Sequence, residues 1–209
     1  MHPYSVKSNA EKMWYIVAIL SFILYLGYSF LNVKYIYPTI SDKFGMVYSV
    51  SPIIVFGFFY AIFYWIIDTW GWKNKIIQMK YKIPNLNGKW TGKLISKYEE
   101  KKDENTEVEL KEINIEIKIK QTWKKISIIL IAEDSESRSL TTSIIQTSGK
   151  WQINYQYLNE PKVHSSEEMI MHYGTAVLNF DEKEKTLKGY YYNKERDTSG
   201  EINLKYTQI

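Results

Sequence analysis

Residues 47–67, VYSVSPIIVFGFFYAIFYWII, are a run of 21 residues without a charge. As a helix rising 1.5 Å per residue, such a run spans about 30 Å, the thickness of a bilayer's hydrocarbon core. Tyr48 stands near one end and Trp65, Trp70 and Trp72 near the other, followed by Lys73, Lys75, Lys80 and Lys82. Aromatic rings at headgroup level with lysines beyond them are the flanks of a membrane span. After residue 82 the pattern changes from continuous apolar to alternating. The sequence therefore divides into a membrane anchor, residues 1–82, and an all-β domain, residues 83–209.

Working towards the N-terminus, residues 13–33 (MWYIVAILSFILYLGYSFLNV) form a second charge-free run of 21. It is longer than the apolar core of a secretory signal and has no small-residue cleavage site. Two retained spans, about 13–33 and 47–67, joined by residues 34–46, make a helical hairpin with both termini on one side. Lysines are denser after the second span than in the loop, which puts the C-terminal domain in the cytoplasm. Ser21, Tyr25, Tyr28 and Asn32 share one face of the first helix, and Gly57, Ala61, Tyr64 and Asp68 share one face of the second. Small and hydrogen-bonding residues let helices associate in lipid, which predicts oligomerisation through Gly57, Ala61, Tyr64 and Asp68. The alternative is that Tyr28, Asn32, Tyr64 and Asp68 anchor at the headgroups. Pro52 after Ser51 marks a possible true start of the second helix.

The 209 residues, 45% hydrophobic and 16% aromatic, hold one compact domain of about 120 residues beside such an anchor. The formal net charge of +4 is unevenly placed: residues 1–82 carry +5 and residues 83–209 carry −1. The basic excess belongs to the membrane flanks, so no DNA or RNA polymer is an expected partner. The absence of cysteine excludes disulfides, thiolate nucleophiles and Cys-bound metals.

From Gly88 the chain reads as strands. Trp90, Gly92, Leu94 and Ser96 alternate with Lys89, Thr91, Lys93 and Lys97, and Ile113, Ile115, Ile117 and Ile119 alternate with Asn114, Glu116, Lys118 and Lys120. Six more strands are expected near 125–132, 138–147, 151–158, 173–180, 187–192 and 202–206, separated by short turn signals. Residues 99–112 and 159–171 read as polar loops. Eight consecutive antiparallel strands with one buried face close most economically into an up-and-down barrel, with a sandwich as the alternative. Alternation points Trp90, Trp151, Ile153, Tyr155, Tyr157, Tyr191, Ile202, Leu204 and Tyr206 inward. So many inward phenols suit a partly polar ligand pocket, or an open end where water satisfies them.

No nucleophile stands with a base, no glycine-rich phosphate loop is present, and His2, His164 and His172 have no metal-ligand spacing. A binding protein is expected rather than an enzyme, with no cofactor and no metal. Gly88-Lys89-Trp90, opening the first strand, resembles lipocalin-like barrels, whose tryptophan closes one end. Residues 189–202, GYYYNKERDTSGEI, form a closing hairpin punctuated by glycine.

Together the two-span anchor, the entry Leu86-Asn87-Gly88-Lys89-Trp90-Thr91-Gly92 and this closing hairpin resemble one bacterial family. It is the SMODS-associated two-transmembrane, β-strand-rich effectors of cyclic-oligonucleotide-based anti-phage signalling (CBASS). The resemblance implies a multi-pass protein of the inner membrane whose cytoplasmic barrel senses a cyclic dinucleotide made by a partner nucleotidyltransferase. The membrane segments then form a homo-oligomer, disrupt the inner-membrane lipid and kill the infected cell. The rival reading is a membrane-tethered barrel for a lipid or hydrophobic metabolite, without killing. A dianionic ligand needs a cation, and Arg196, in the matching hairpin, offers a bidentate fork to phosphate. Thr198 adds a hydroxyl, and Tyr155, Tyr157, Tyr191 and Trp90 offer aromatic faces. Alternatively Arg196 pairs with Asp197 or Glu195 on an exposed turn. Reporter fusions at Ile209 and within residues 34–46 are expected to show opposite sidedness, and equal sidedness overturns the hairpin.

Overall fold

The computed structural model describes residues 1–6, 12–36, 38, 52–81, 83–102, 105–147, 149–163, 170–193, 195 and 198–207, with the backbone alone at 6, 98–102 and 105–109. The chain forms two units, Ser8–Lys82 and a barrel unit made of Met1–Lys7 with Ile83–Ile209.

In the first unit, α1 (Lys12–Leu31) continues through five π-helical residues, Asn32–Ile36, and α2 covers Pro52–Thr69. Pro52 is the first helical residue of α2, where the missing N–H costs nothing and the ring presets φ. Residues 47–51 of the expected second span lie outside the described residues. Both helices are long and apolar enough to cross a membrane, and only 11% and 6% of their apolar windows are buried. A core helix of a soluble protein would be mostly covered; these present bare Ile, Leu and Phe faces suited to lipid. The two helices meet through Trp14 stacked on Tyr64, 4.6 Å between centroids, and Tyr28 edge-on to Phe59. A short helix, α3 (Lys75–Tyr81), follows.

In the barrel unit, β1 (His2–Pro3) and β2 (Ser5–Val6) precede eight long strands. These are β3 (Gly88–Lys102), β4 (Asn105–Gln121), β5 (Lys125–Ile131), β6 (Ser135–Thr147), β7 (Lys150–Pro161), β8 (His172–Asp181), β9 (Thr186–Asn193) and β10 (Thr198–Thr207). Each of the eight pairs antiparallel with the next, β10 returns to β3, and β5 meets β6, so the sheet is a closed up-and-down barrel. Alternation sets its inner face. Trp90, Ile153, Tyr155, Tyr157, Tyr191, Ile202 and Leu204 are buried, and Trp151 and Tyr206 pack against them half-buried.

The end where the chain enters is plugged. Trp90 donates its indole N–H to Leu86 O at 3.1 Å and stands edge-on to both Phe180 and Tyr206. Gln121 ties the entry segment to the end of β4: its Oε1 accepts from Leu86 N at 2.9 Å and its Nε2 donates to Pro84 O and to the Tyr4 hydroxyl. A buried amide so fully bonded fixes the entry geometry at little net cost.

The ring closes through three pairs only: Ile129 with Arg138, Leu130 with Ser137 and Ile131 with Glu136. Towards the entry end β6 bulges between Ser139 and Thr141, and residues 2–6 occupy the seam. His2 and Pro3 pair with Ile126 and Lys125 of β5, while Ser5 and Val6 run parallel beside Ser143 and Ile144 of β6. The Ser139 hydroxyl, 2.8 Å from His2 Nε2, accepts from Ile128 N at 2.9 Å.

One expectation is corrected. Residues 99–102 and 105–112 are not a loop: β3 and β4 run through them as a two-stranded ribbon, paired out to Lys102 and Asn105. Its pairing with β10 stops at Lys97 and that with β5 at Glu116, so the ribbon projects past the barrel wall.

Replacing Trp90 with Ala is expected to cost about 3–5 kcal/mol, because it empties the plug and orphans Leu86 O. Tyr190→Ala, on the outer face, should stay within about 0.5 kcal/mol. Thermal melting of the detergent-solubilised chain by far-UV circular dichroism distinguishes the two; equal melting points would remove Trp90 from its role as plug.

Candidate ligand site

The barrel interior changes character along its axis. The entry half is filled by Trp90, Phe180, Leu187, Leu204, Ile117, Ile119, Ile126 and Ile128. In the far half the inner positions turn polar: Ser137, Thr142, Asn159, His172 and Asn193 are buried there beside Tyr155, Tyr157 and Tyr191.

Strand register orders these residues. Thr142 lies opposite Tyr155, Tyr155 opposite Ala176, Ala176 opposite Tyr191, Tyr191 opposite Gly200, Gly200 opposite Ser96, and Ser96 opposite Lys111. Directly opposed residues share a face, so this is one line of inner-face positions running round the wall. It climbs from Thr142, buried, to Lys111, exposed at the mouth. Tyr191 lies against Gly200, where a Cβ would meet its ring, and donates to Ser96 Oγ at 2.9 Å. Tyr157 likewise lies over Gly174, whose missing side chain leaves room for the ring. The phenols therefore lie along the wall rather than across the axis.

Burial pushes the Tyr155 and Tyr157 phenols well above the ordinary tyrosine value, and for Tyr157 the neighbouring phenols of Tyr155 and Tyr191 add to it. Both stand as neutral hydroxyl groups at any physiological pH. Thr142 Oγ1 is buried with no hydrogen-bond partner among the described residues. A cleft of about 300 Å³ lies on the outer wall of this end, lined mostly by the outward-facing Leu140, Gln156, Tyr173, Thr175 and Tyr192 and reaching Tyr157, Gly174 and Asn193.

The residues expected to bind ligand separate into two groups. Tyr155, Tyr157, Tyr191 and Thr198 come together at the far end, where Thr198 Oγ1 accepts from Asn193 Nδ2 at 3.2 Å. Trp90 sits in the plug at the opposite end. Arg196 and Asp197 lie outside the described residues; Glu195, the other proposed partner of Arg196, accepts from Tyr173 N at 3.1 Å. Lys111 was missed by reading 99–112 as a loop. Its strand register, had the ribbon been recognised, puts it on the inner face at the mouth. On α2, Gly57 and Ala61 are exposed, with nothing within 4 Å of a Cβ built at Gly57, while Tyr64 is engaged with Trp14.

Two relatives share most of this chain. A protein of Yersinia aleksiciae described as CD-NTase-associated protein 15 is 33% identical over 158 residues, 75% of this chain and 71% of that protein. One of Staphylococcus schleiferi with the same description is 27% identical over 161 residues, 77% of this chain and 80% of that protein. Residues 81–206, from the end of α3 through the eight long strands to the penultimate residue of β10, match the family described as Cap15, cyclic dinucleotide receptor domain. With residues 81–206 matched to that domain and a relative 33% identical over 75% of the chain, the chain belongs to the Cap15 family.

Proposed function

We propose that this protein is a membrane-anchored CBASS effector that binds a cyclic dinucleotide in the far half of its barrel. The observation that carries this is the polar inner line from Thr142 to Lys111, which combines phenol faces, neutral hydroxyl donors and a cation at the mouth. A cyclic dinucleotide asks for that combination: stacking surfaces and donors for its bases, positive charge for its two phosphates. A lipid would ask for an apolar lumen, and the apolar half is occupied by Trp90, Phe180 and Leu187. In this reading Arg196 and Lys111 hold phosphate, Thr198 adds a hydroxyl, and Tyr155, Tyr157 and Tyr191 face the bases. Trp90 closes the barrel without touching ligand.

The ligand comes from a partner nucleotidyltransferase, as the relatives' description as CD-NTase-associated suggests. The anchor lies in the bacterial inner membrane with the barrel in the cytoplasm. Connectivity supports this topology, because the segment Ser8–Lys82 leaves the barrel unit after residue 7 and returns to it at residue 83. Two crossings satisfy that return; one does not. Ligand binding drives association of the anchors through Gly57 and Ala61, with Tyr64 and Asp68 along the same face, and the assembled helices disrupt the membrane.

Calorimetry of the detergent-solubilised full chain against a panel of cyclic dinucleotides tests the sensor. Arg196→Ala and Lys111→Ala are each expected to weaken the best ligand about tenfold or more, the loss of one charge-assisted hydrogen bond, with unchanged melting points. Parental affinity in either variant removes that residue from the site. For the anchor, Gly57→Leu is expected to bind ligand normally yet fail to oligomerise and to kill. A Gly57→Leu protein that still kills removes this face from the assembly.

A further inference from the structure

The inner line of the far half is graded in charge. At the mouth stands Lys111, exposed and opposite Ser96. At the deep end stands Thr142, 6% exposed, opposite Tyr155, 3% exposed. Among the described residues, no buried polar side chain of the barrel is a Lys, Arg, Asp or Glu; they are hydroxyls, amides and one imidazole. A phosphate carried down this line would lose its hydration and meet no full positive charge, which is strongly unfavourable. A nucleobase edge is neutral and presents donors and acceptors, so the same descent costs it far less.

Thr142 Oγ1 makes the deep end specific. It is buried, it faces the interior beside Tyr155, and it has no hydrogen-bond partner among the described residues. A buried hydroxyl without a partner destabilises a fold, and a valine of the same shape would avoid the cost. Its hydroxyl is able to donate or to accept, and the opposed Tyr155 phenol is held neutral by burial. The inner residues beside them are small, Ala176 opposite Tyr155 and Gly200 opposite Tyr191, and the Tyr191 ring lies along the wall in the room that a side chain at Gly200 would fill.

We propose that one base of the bound cyclic dinucleotide enters the barrel edge-first and is read by Thr142 Oγ1 and the Tyr155 hydroxyl, while the phosphates stay at the mouth beside Lys111. This assignment rests on the barrel being a cyclic dinucleotide sensor. It makes Thr142 a specificity-determining residue, because a base edge that matches the orphan hydroxyl gains a hydrogen bond and one that does not leaves a buried polar group unpaired.

The test is calorimetry of the detergent-solubilised full chain with cyclic di-GMP, cyclic di-AMP, cyclic GMP–AMP and cyclic di-UMP. Thr142→Val is expected to melt at or above the parent's temperature without ligand, to lose about tenfold or more in affinity for the parent's best ligand, and to discriminate less among bases. Tyr155→Phe should behave alike, and Thr142→Ser, which keeps the hydroxyl, should bind as the parent does. The salt dependence of binding should be unchanged in Thr142→Val and Tyr155→Phe but reduced in Lys111→Ala. Parental affinity and parental base ranking in both Thr142→Val and Tyr155→Phe overturn the base-reading assignment while leaving the sensor intact. A parent that binds none of the four overturns the sensor reading, and the base assignment with it.

Discussion

A β-sheet becomes a barrel only if its first and last edges find each other, and here that closure hangs on three residue pairs between β5 and β6. Unpaired edge groups in a buried wall are costly, and β6 bulges where the pairing ends. The rest of the seam is occupied by residues 2–6, drawn from the other side of the membrane segment in sequence. Ser139 stands at the junction of all three pieces, bonded to Ile128 N and beside His2. With the ring closed, the inner face has a fixed register, and that register aligns Thr142, Tyr155, Tyr191, Ser96 and Lys111.

The division of the lumen follows from which residues fall at which depth. The entry half is a dry core: Trp90 crosses against Phe180 and Tyr206, its one polar atom bonded to Leu86 O. Such packing resists ligand and carries the stability of the domain. The far half gives up part of that packing for hydroxyls and amides, one of which, on Thr142, is left unpartnered. Within the barrel unit, the buried side-chain atom left without a partner among the described residues falls where binding is proposed, a departure of the kind functional sites commonly show.

Much of this was legible in the sequence because it is periodic. Eight strands, the inward set from Trp90 to Tyr206 and the start of the second helix at Pro52 follow from spacing and from proline's missing N–H. What escaped reading has identifiable causes. Residues 99–102 and 105–112 are strand, yet charged residues at successive positions, Glu99-Glu100-Lys101-Lys102 and Lys111-Glu112, hide the alternation. Lys111 went unnoticed for the same reason. In β6 the bulge after Ser139 shifts the inner face from odd to even positions, so strict alternation through Ser135 and Ser137 would have pointed Thr141 inward instead of Thr142. The seam strands at residues 2–6 are too short to show a period, and their partners lie far along the chain.

That last distance also sets an order of events during synthesis. His2 and Ser139 are 137 residues apart, and the whole membrane segment is made between them. The first strand residues leave the ribosome before either apolar helix and long before β5 and β6 exist to receive them. Both helices are therefore complete, and free to enter the bilayer, while the barrel is still open at its seam. In the two-crossing topology proposed above, closure waits for residues on both sides of the anchor to meet on one face of the membrane. A chain that inserted only one of its two helices would strand residues 2–6 on the wrong side, so an intact seam is a record that insertion was completed correctly.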